Sequence, residues 1–231
     1  AEEKENDLFM VGDPYQNIYK KTQNFSKAGI SIKGRRSRKL KINYRTTEEI
    51  KHLAMKVVSE VPVEDFDGNP ENMKGYLSLM HGDEPGYLTF TTPEEEDQYL
   101  LDKLNQFMIN DLINPGEICV CSRTNYGVED TKKLLNSAGI SYTDLSSLKK
   151  TDNAVKVSTF HNMKGHEFKI VLVRGMSAEN IPFKHSQYDQ LTEKERLQYD
   201  QQERALYYVV FSRAIQALYI TGTGSKCSWL E

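Results

Sequence analysis

The stretch EFKIVLVRG, residues 167–175, sets the tightest limit on the fold. Its apolar residues run on without the alternation of a half-exposed strand. That pattern belongs to strands buried on both faces, which occur in parallel sheets covered by helices on either side. Other strand patterns accompany it: DLFMV (7–11), ended by Gly-Asp-Pro; KLKIN (39–43), apolar at every second position; GYLTFT (86–91); EICVCS (117–122); ISYT (140–143); AVKVST (154–159); and ALYITG (217–222).

Helix patterns lie between them. Thr46-Thr-Glu-Glu reads as a capping box closed by Glu49, after which Ile50, Leu53, Ala54, Val57 and Val58 share one helical face, predicting a helix to about residue 60. Thr92-Pro93-Glu94-Glu95 supplies an N-cap, a proline in the first turn and a second capping box, for a helix to about residue 108. YGVEDTKKLLNSAG is a helix closed by Gly139, and a last long helix spans about 192–214. Residues 61–86, rich in Pro, Gly, Asp and Asn, read as a connector with one short strand, GYLSLM. Strand and helix alternating in this way predict an α/β fold of three layers, a mostly parallel sheet between two layers of helices.

Charge is unevenly spread. Residues 20–56 carry eight Lys and four Arg against Glu48 and Glu49, a net +10, while the whole chain is −3 and the remainder therefore −13. A basic stretch interleaved with turn and aromatic residues suits a polyanion. The chain has no run of apolar residues long enough to cross a bilayer and no secretory pattern at residue 1, so it is expected in the cytoplasm with no membrane partner. Cys119, Cys121 and Cys227 are expected to be reduced core thiols, the first two pointing to opposite faces of their strand. No His, Cys or acidic spacing suggests a metal site.

Four polar segments stand at strand tips, and ligands of parallel sheets are expected at the carboxyl edge. They are GDPYQNIY (12–19), NYRTT (43–47), STFHNMKGHEF (158–168) and ERALYYVVFSRA (203–214). Together and in this order they resemble four motifs of the UvrD/Rep/PcrA-like superfamily 1 DNA helicases, spread over nearly the whole chain. The resemblance implies a RecA-like fold and a role for each matching position. Gln16 is similar to the residue that senses the γ-phosphate and positions the attacking water, Arg45 to the first arginine finger and Arg213 to the second. Tyr44 is similar to the aromatic that stacks on adenine, and Glu167, with Gly165 before it, to the carboxylate that holds the ribose hydroxyl. Tyr19, Thr159 and His161 lie where the family contacts single-stranded DNA.

Two positions depart from the family. Lys20 and Lys21 follow Tyr19 where an aromatic and an arginine are usual, which trades a base-stacking contact for phosphate contacts. His166 stands where a leucine is usual. The larger departure is the lack of a P-loop, G-x-x-x-x-G-K-[S/T], and of an acidic pair for magnesium. GISIKGRRS (29–37) has the glycine spacing but Arg35 and Arg36 in place of the Lys and the hydroxyl residue. By the resemblance those motifs belong to a first RecA-like domain, so residues 1–36 are expected to be the tail of that domain and 37–231 the second motor domain, with 61–86 in place of an accessory subdomain. ATP with Mg2+ would bind between the two lobes, with metal ligands outside this chain. The expected partners are single-stranded DNA, or a single-strand/double-strand junction, and the N-terminal RecA-like domain; alone, the chain is expected to hydrolyse no ATP. The alternative is a non-catalytic nucleic-acid-binding or protein-interaction module that kept the fold.

Overall fold

The structure, a computed structural model, describes residues 9–18, 25, 28–30, 37–66, 68–71, 74–147 and 153–230. Six strands form one wholly parallel sheet: β3 (Gly86–Phe90), β4 (Ile118–Ser122), β5 (Tyr142–Asp144), β6 (Val155–Thr159), β7 (Phe168–Arg174) and β8 (Ala214–Thr223), in the spatial order β3-β8-β7-β4-β6-β5. The apolar run 167–175 supplies β7, between β8 and β4, where both faces are covered. Ile170 and Leu172 point into one core, with Leu100, Leu104 and Phe107 from one helix segment and Val128 and Leu135 from another. Val171 and Val173 point into the other, with Ile50, Ala54, Val57, Leu206 and Val210. The covering helices are α2 (Pro93–Asn105) and α3 (Asn125–Ser137) on the first face, α1 (Glu48–Val58) and α4 (Glu193–Phe211) on the second. Continuous burial of a strand on both faces is thus the physical cause of the three layers.

Local signals set the helix ends. Thr92 with Glu95 and Thr192 with Glu195 form complete capping boxes. Gly139, at φ +68°, closes the end of α3 in the left-handed conformation a side chain disfavours. The first expected capping box is corrected. Thr47, not Thr46, caps α1, its hydroxyl accepting from Ile50 N, and Glu49 accepts from Gly82 N at 3.0 Å and meets His81 Nδ1 at 2.9 Å. These contacts hold the Glu49 carboxyl down to about 2. Helix α2 runs on past Asn105 as a π-helical turn over Gln106–Asn110, so helical backbone reaches the expected end near residue 108.

A separate two-stranded parallel ribbon joins β1 (Ile42–Thr47) to β2 (Leu77–Met80), Ile42 beside Leu77. The first lies three residues beyond the expected 39–43 start, and the second is the single strand expected in the connector. Of the expected strand at 7–11, residues 9–11 are exposed and not in a strand, and Asp7 and Leu8 lie outside the described residues. Cys119 and Cys121 correct another expectation. They sit two apart in β4 and so share a face, both in the α1/α4 core, while Ile118 and Val120 face α2 and α3. None of the three cysteines is in a disulfide and all are buried, and burial pushes the Cys119 and Cys121 thiols up.

Candidate nucleotide cleft and nucleic-acid groove

A cleft of about 720 Å³ lies at the amino edge of the sheet, not the carboxyl edge expected from the parallel topology. Glu167 directly precedes β7 and Arg213 directly precedes β8, so both enter it from the starts of central strands. Gln16 comes from the 3-10 turn Pro14–Gln16, and Tyr44 and Arg45 from β1. Five of the sequence-predicted residues therefore meet in one place although they span positions 16 to 213.

Each is positioned by local chemistry. The Asn43 side chain accepts from Arg45 N at 2.7 Å, and Tyr44 between them is 70% exposed. Arg45 Nε meets Glu167 Oε1 at 2.9 Å; the two side chains are 48% and 39% exposed, which makes this pair worth about 0–1 kcal/mol. Arg213 is different. It is 3% exposed, donates from Nε to Val209 O at 2.9 Å and from Nη2 to Ser212 Oγ at 3.0 Å, and takes part in none of the ion pairs among the described residues. Burial, and then the Arg45 charge nearby, pull its pKa down. Gln16 Nε2 donates to Asp13 Oδ2 at 3.0 Å. Gly165 does not line the cleft. At φ +89° it turns the chain between the 3-10 turn Phe160–Met163 and β7, which is a sufficient reason for glycine there.

Thr159 and His161 lie elsewhere, in a groove of about 430 Å³ at the carboxyl ends of β4 and β6. The segment from Ser158 to Phe168 thus runs from one sheet edge to the other, crossing the α1/α4 core through Phe160 and Met163. The groove also holds Arg123, Asn125 and Phe183, which the sequence reading missed. Arg123 forks onto the buried Glu203 carboxylate, Nε to Oε2 at 2.9 Å and Nη2 to Oε1 at 2.6 Å, and lies 4.6 Å from the Phe183 ring centroid. Burial and the Arg123 charge hold the His161 imidazole below its ordinary 6.5. Tyr19, Lys20 and Lys21 lie outside the described residues. Among the described residues no cluster of three His, Cys, Asp or Glu could hold a metal, and no helix is long and apolar enough to cross a membrane.

Residues 127–225 match the family described as the UvrD-like helicase C-terminal domain. Among its relatives, the ATP-dependent DNA helicase HMI1, mitochondrial, of Saccharomyces cerevisiae is 29% identical over 114 residues, 47% of this chain. The ATP-dependent DNA helicase PcrA of Staphylococcus aureus strain Mu50 is 37% identical over 76 residues, 33% of this chain. These matches span only 16% and 10% of the two relatives' own lengths. The C-terminal domain of a possible DNA helicase from Lactobacillus plantarum shares the fold, with a TM-score of 0.58 over 81% of this chain and 92% of its own, at 20% identity. The chain is thus an α/β fold with a parallel sheet between helices, as the sequence predicts.

Proposed function

We propose that this UvrD-like domain is the second motor lobe of an ATP-dependent DNA helicase or translocase moving 3′ to 5′, and that it completes a nucleotide site whose P-loop and magnesium ligands come from an N-terminal RecA-like lobe. The observation that carries the reading is the meeting of Arg45, Arg213, Gln16 and the exposed Tyr44 ring in one cleft. A buried guanidinium with no carboxylate partner among the ion pairs is suited to an anion, and a triphosphate is the anion that an exposed aromatic beside it would accompany.

The residues present fit such a ligand. Tyr44 gives a flat face for the purine. Glu167 suits a ribose hydroxyl, and because its pair with Arg45 is half-exposed and weak, exchanging that pair for ligand contacts costs little. Arg45 is then released toward the phosphates, and both guanidiniums stabilise charge that grows on the transferring phosphoryl oxygens. With its nitrogen committed to Asp13, the Gln16 amide offers the cleft an acceptor, the oxygen needed to orient a water. ATP with Mg2+ supplies the phosphoanhydride and the divalent charge; this sequence contains no P-loop to cradle them.

At the other sheet edge, Thr159, His161, Arg123 and Phe183 form a groove suited to single-stranded DNA, with a stacking ring and polar contacts for the backbone. Tyr19, Lys20 and Lys21 belong to the same proposed track. In the intact protein, Arg213→Ala is expected to lower kcat for DNA-stimulated ATP hydrolysis by about 10³-fold or more, with Arg213→Lys restoring little, because an ammonium lacks the planar fork. A loss below about tenfold in a folded variant would overturn the arginine-finger assignment.

A further inference from the structure

Asp13 sits where the Gln16 turn meets helix α4. Its Oδ1 accepts from Tyr15 N at 2.9 Å, and its Oδ2 accepts both from Gln16 Nε2 at 3.0 Å and from the Tyr208 hydroxyl at 3.2 Å. The Tyr15 and Tyr208 rings pack at 5.7 Å, fixing the two segments against each other. From Tyr208 the connection continues to the buried arginine: Ser212 N donates to Tyr208 O at 3.0 Å, and Arg213 Nη2 donates to Ser212 Oγ at 3.0 Å. On the other side Lys164, from the segment that crosses between the two sheet edges, donates to Gln16 O at 3.1 Å.

We propose that Asp13 is a positioning residue that sets which end of the Gln16 amide faces the cleft, and that Tyr208 is the link by which this setting is coupled to the Arg213 end of α4. The proposal rests on the nucleotide-site reading above. Its chemistry is specific. A carboxylate only accepts hydrogen bonds, so it captures the Gln16 nitrogen and leaves the oxygen for a water. An asparagine at position 13 keeps an acceptor for Tyr15 N but places an NH2 group where Oδ2 stood. Two NH2 groups cannot bond to each other, so Gln16 must turn its amide over and present a donor to the cleft. Tyr208 can still accept from that NH2, so the contact between the segments survives and only the polarity at Gln16 changes.

The test is steady-state ATP hydrolysis by the intact protein that carries this chain, with saturating single-stranded DNA, in wild type, Asp13→Asn, Gln16→Ala and the double variant. Asp13→Asn is expected to lower kcat about tenfold or more, with KM for ATP within about threefold, the signature of an interaction made only in the transition state. In the Gln16→Ala background the same substitution is expected to have almost no further effect, which a general loss of stability would not produce. Multiplying losses, or an unchanged kcat in Asp13→Asn, would overturn the proposal. If Asp13→Asn does not fold, Tyr208→Phe carries the test, with an expected loss of about threefold, again hidden by Gln16→Ala and overturned by multiplication. Arg213→Ala separates the two levels: activity lost there but unaltered in Asp13→Asn sinks the positioning role alone, whereas activity retained in Arg213→Ala removes the nucleotide site and the positioning role with it.

Discussion

Arg45 and Arg213 carry the same charge into one cleft from opposite environments, and the difference fixes what each does before any ligand arrives. Arg45 is half-exposed and already matched by Glu167, whereas Arg213 is buried against backbone and hydroxyl oxygens. In the proposed nucleotide site Tyr44, exposed and flat, would contribute binding energy that is the same in ground and transition states, so Tyr44→Ala in the intact protein is expected to raise KM for ATP about tenfold with kcat nearly unchanged, measured by steady-state hydrolysis. His161 gives a pH effect. Its folded pKa lies below the unfolded value of 6.5, so the unfolded chain takes up the proton first and this residue's contribution is whole above about pH 6.5 and lost as pH falls through the folded pKa. Urea denaturation between pH 7.5 and 5.5 is therefore expected to show a shallower decline in stability for His161→Gln than for wild type. The cleft residues were legible because each sits inside a motif with neighbours that mark it. Arg123 and Phe183 were not, since their pairing with each other and with Glu203 joins positions up to 80 apart in sequence. One signal for Arg123 was available: it follows the strand pattern 117–122, at the same kind of tip as the residues that were found.

Among the elements, α2 is fastened to the sheet by a carboxylate on its buried face. Glu96 is 4% exposed and accepts from Gly175 N at 3.0 Å, Thr221 Oγ1 at 2.7 Å and Thr223 Oγ1 at 3.1 Å, joining the helix to the ends of β7 and β8. Glu96→Ala leaves Gly175 N and Thr223 Oγ1 without this acceptor and Thr221 Oγ1 with only its longer contact to Val173 O at 3.4 Å, and is expected to lower unfolding free energy by about 2–4 kcal/mol, read by urea denaturation of the chain. A loss under about 0.5 kcal/mol would mean that solvent reaches the donors. In the capping pattern Glu96 follows Glu94 and Glu95, and three adjacent acids read as a first-turn run; only the fold separates the buried one. The same limit separates the box read correctly at Thr92 from the one misread at Thr46. The first is closed within four residues, whereas Glu49 is drawn off by His81 and Gly82, more than thirty positions away.

Across the whole molecule, the two candidate sites occupy opposite edges of one sheet, joined by the segment Ser158–Phe168, and the sequence motif that contains both ends gave no sign of that separation. Parallel topology alone favours the carboxyl edge; the cleft forms at the amino edge because the β1/β2 ribbon and the turn bearing Gln16 wall it there. The basic run 20–56 is less free than its +10 suggests, since Lys39 pairs with Glu71 and Arg45 with Glu167, both acids from outside the run. Binding of a single-stranded oligonucleotide by the chain is still expected to weaken with salt, log K falling by roughly 0.7 per neutralised phosphate for each tenfold rise in salt; a flat dependence would leave the groove without its backbone contacts. The proposed nucleotide site needs both this lobe and another that brings the P-loop. It is tested most directly by DNA-stimulated ATP hydrolysis, measured for the 231-residue chain alone and for the same chain joined to a P-loop-bearing N-terminal lobe. No turnover is expected of the chain alone, and turnover in the joined protein is expected to be lost with Arg213→Ala. Hydrolysis by the chain alone, abolished by that same substitution, would contradict it.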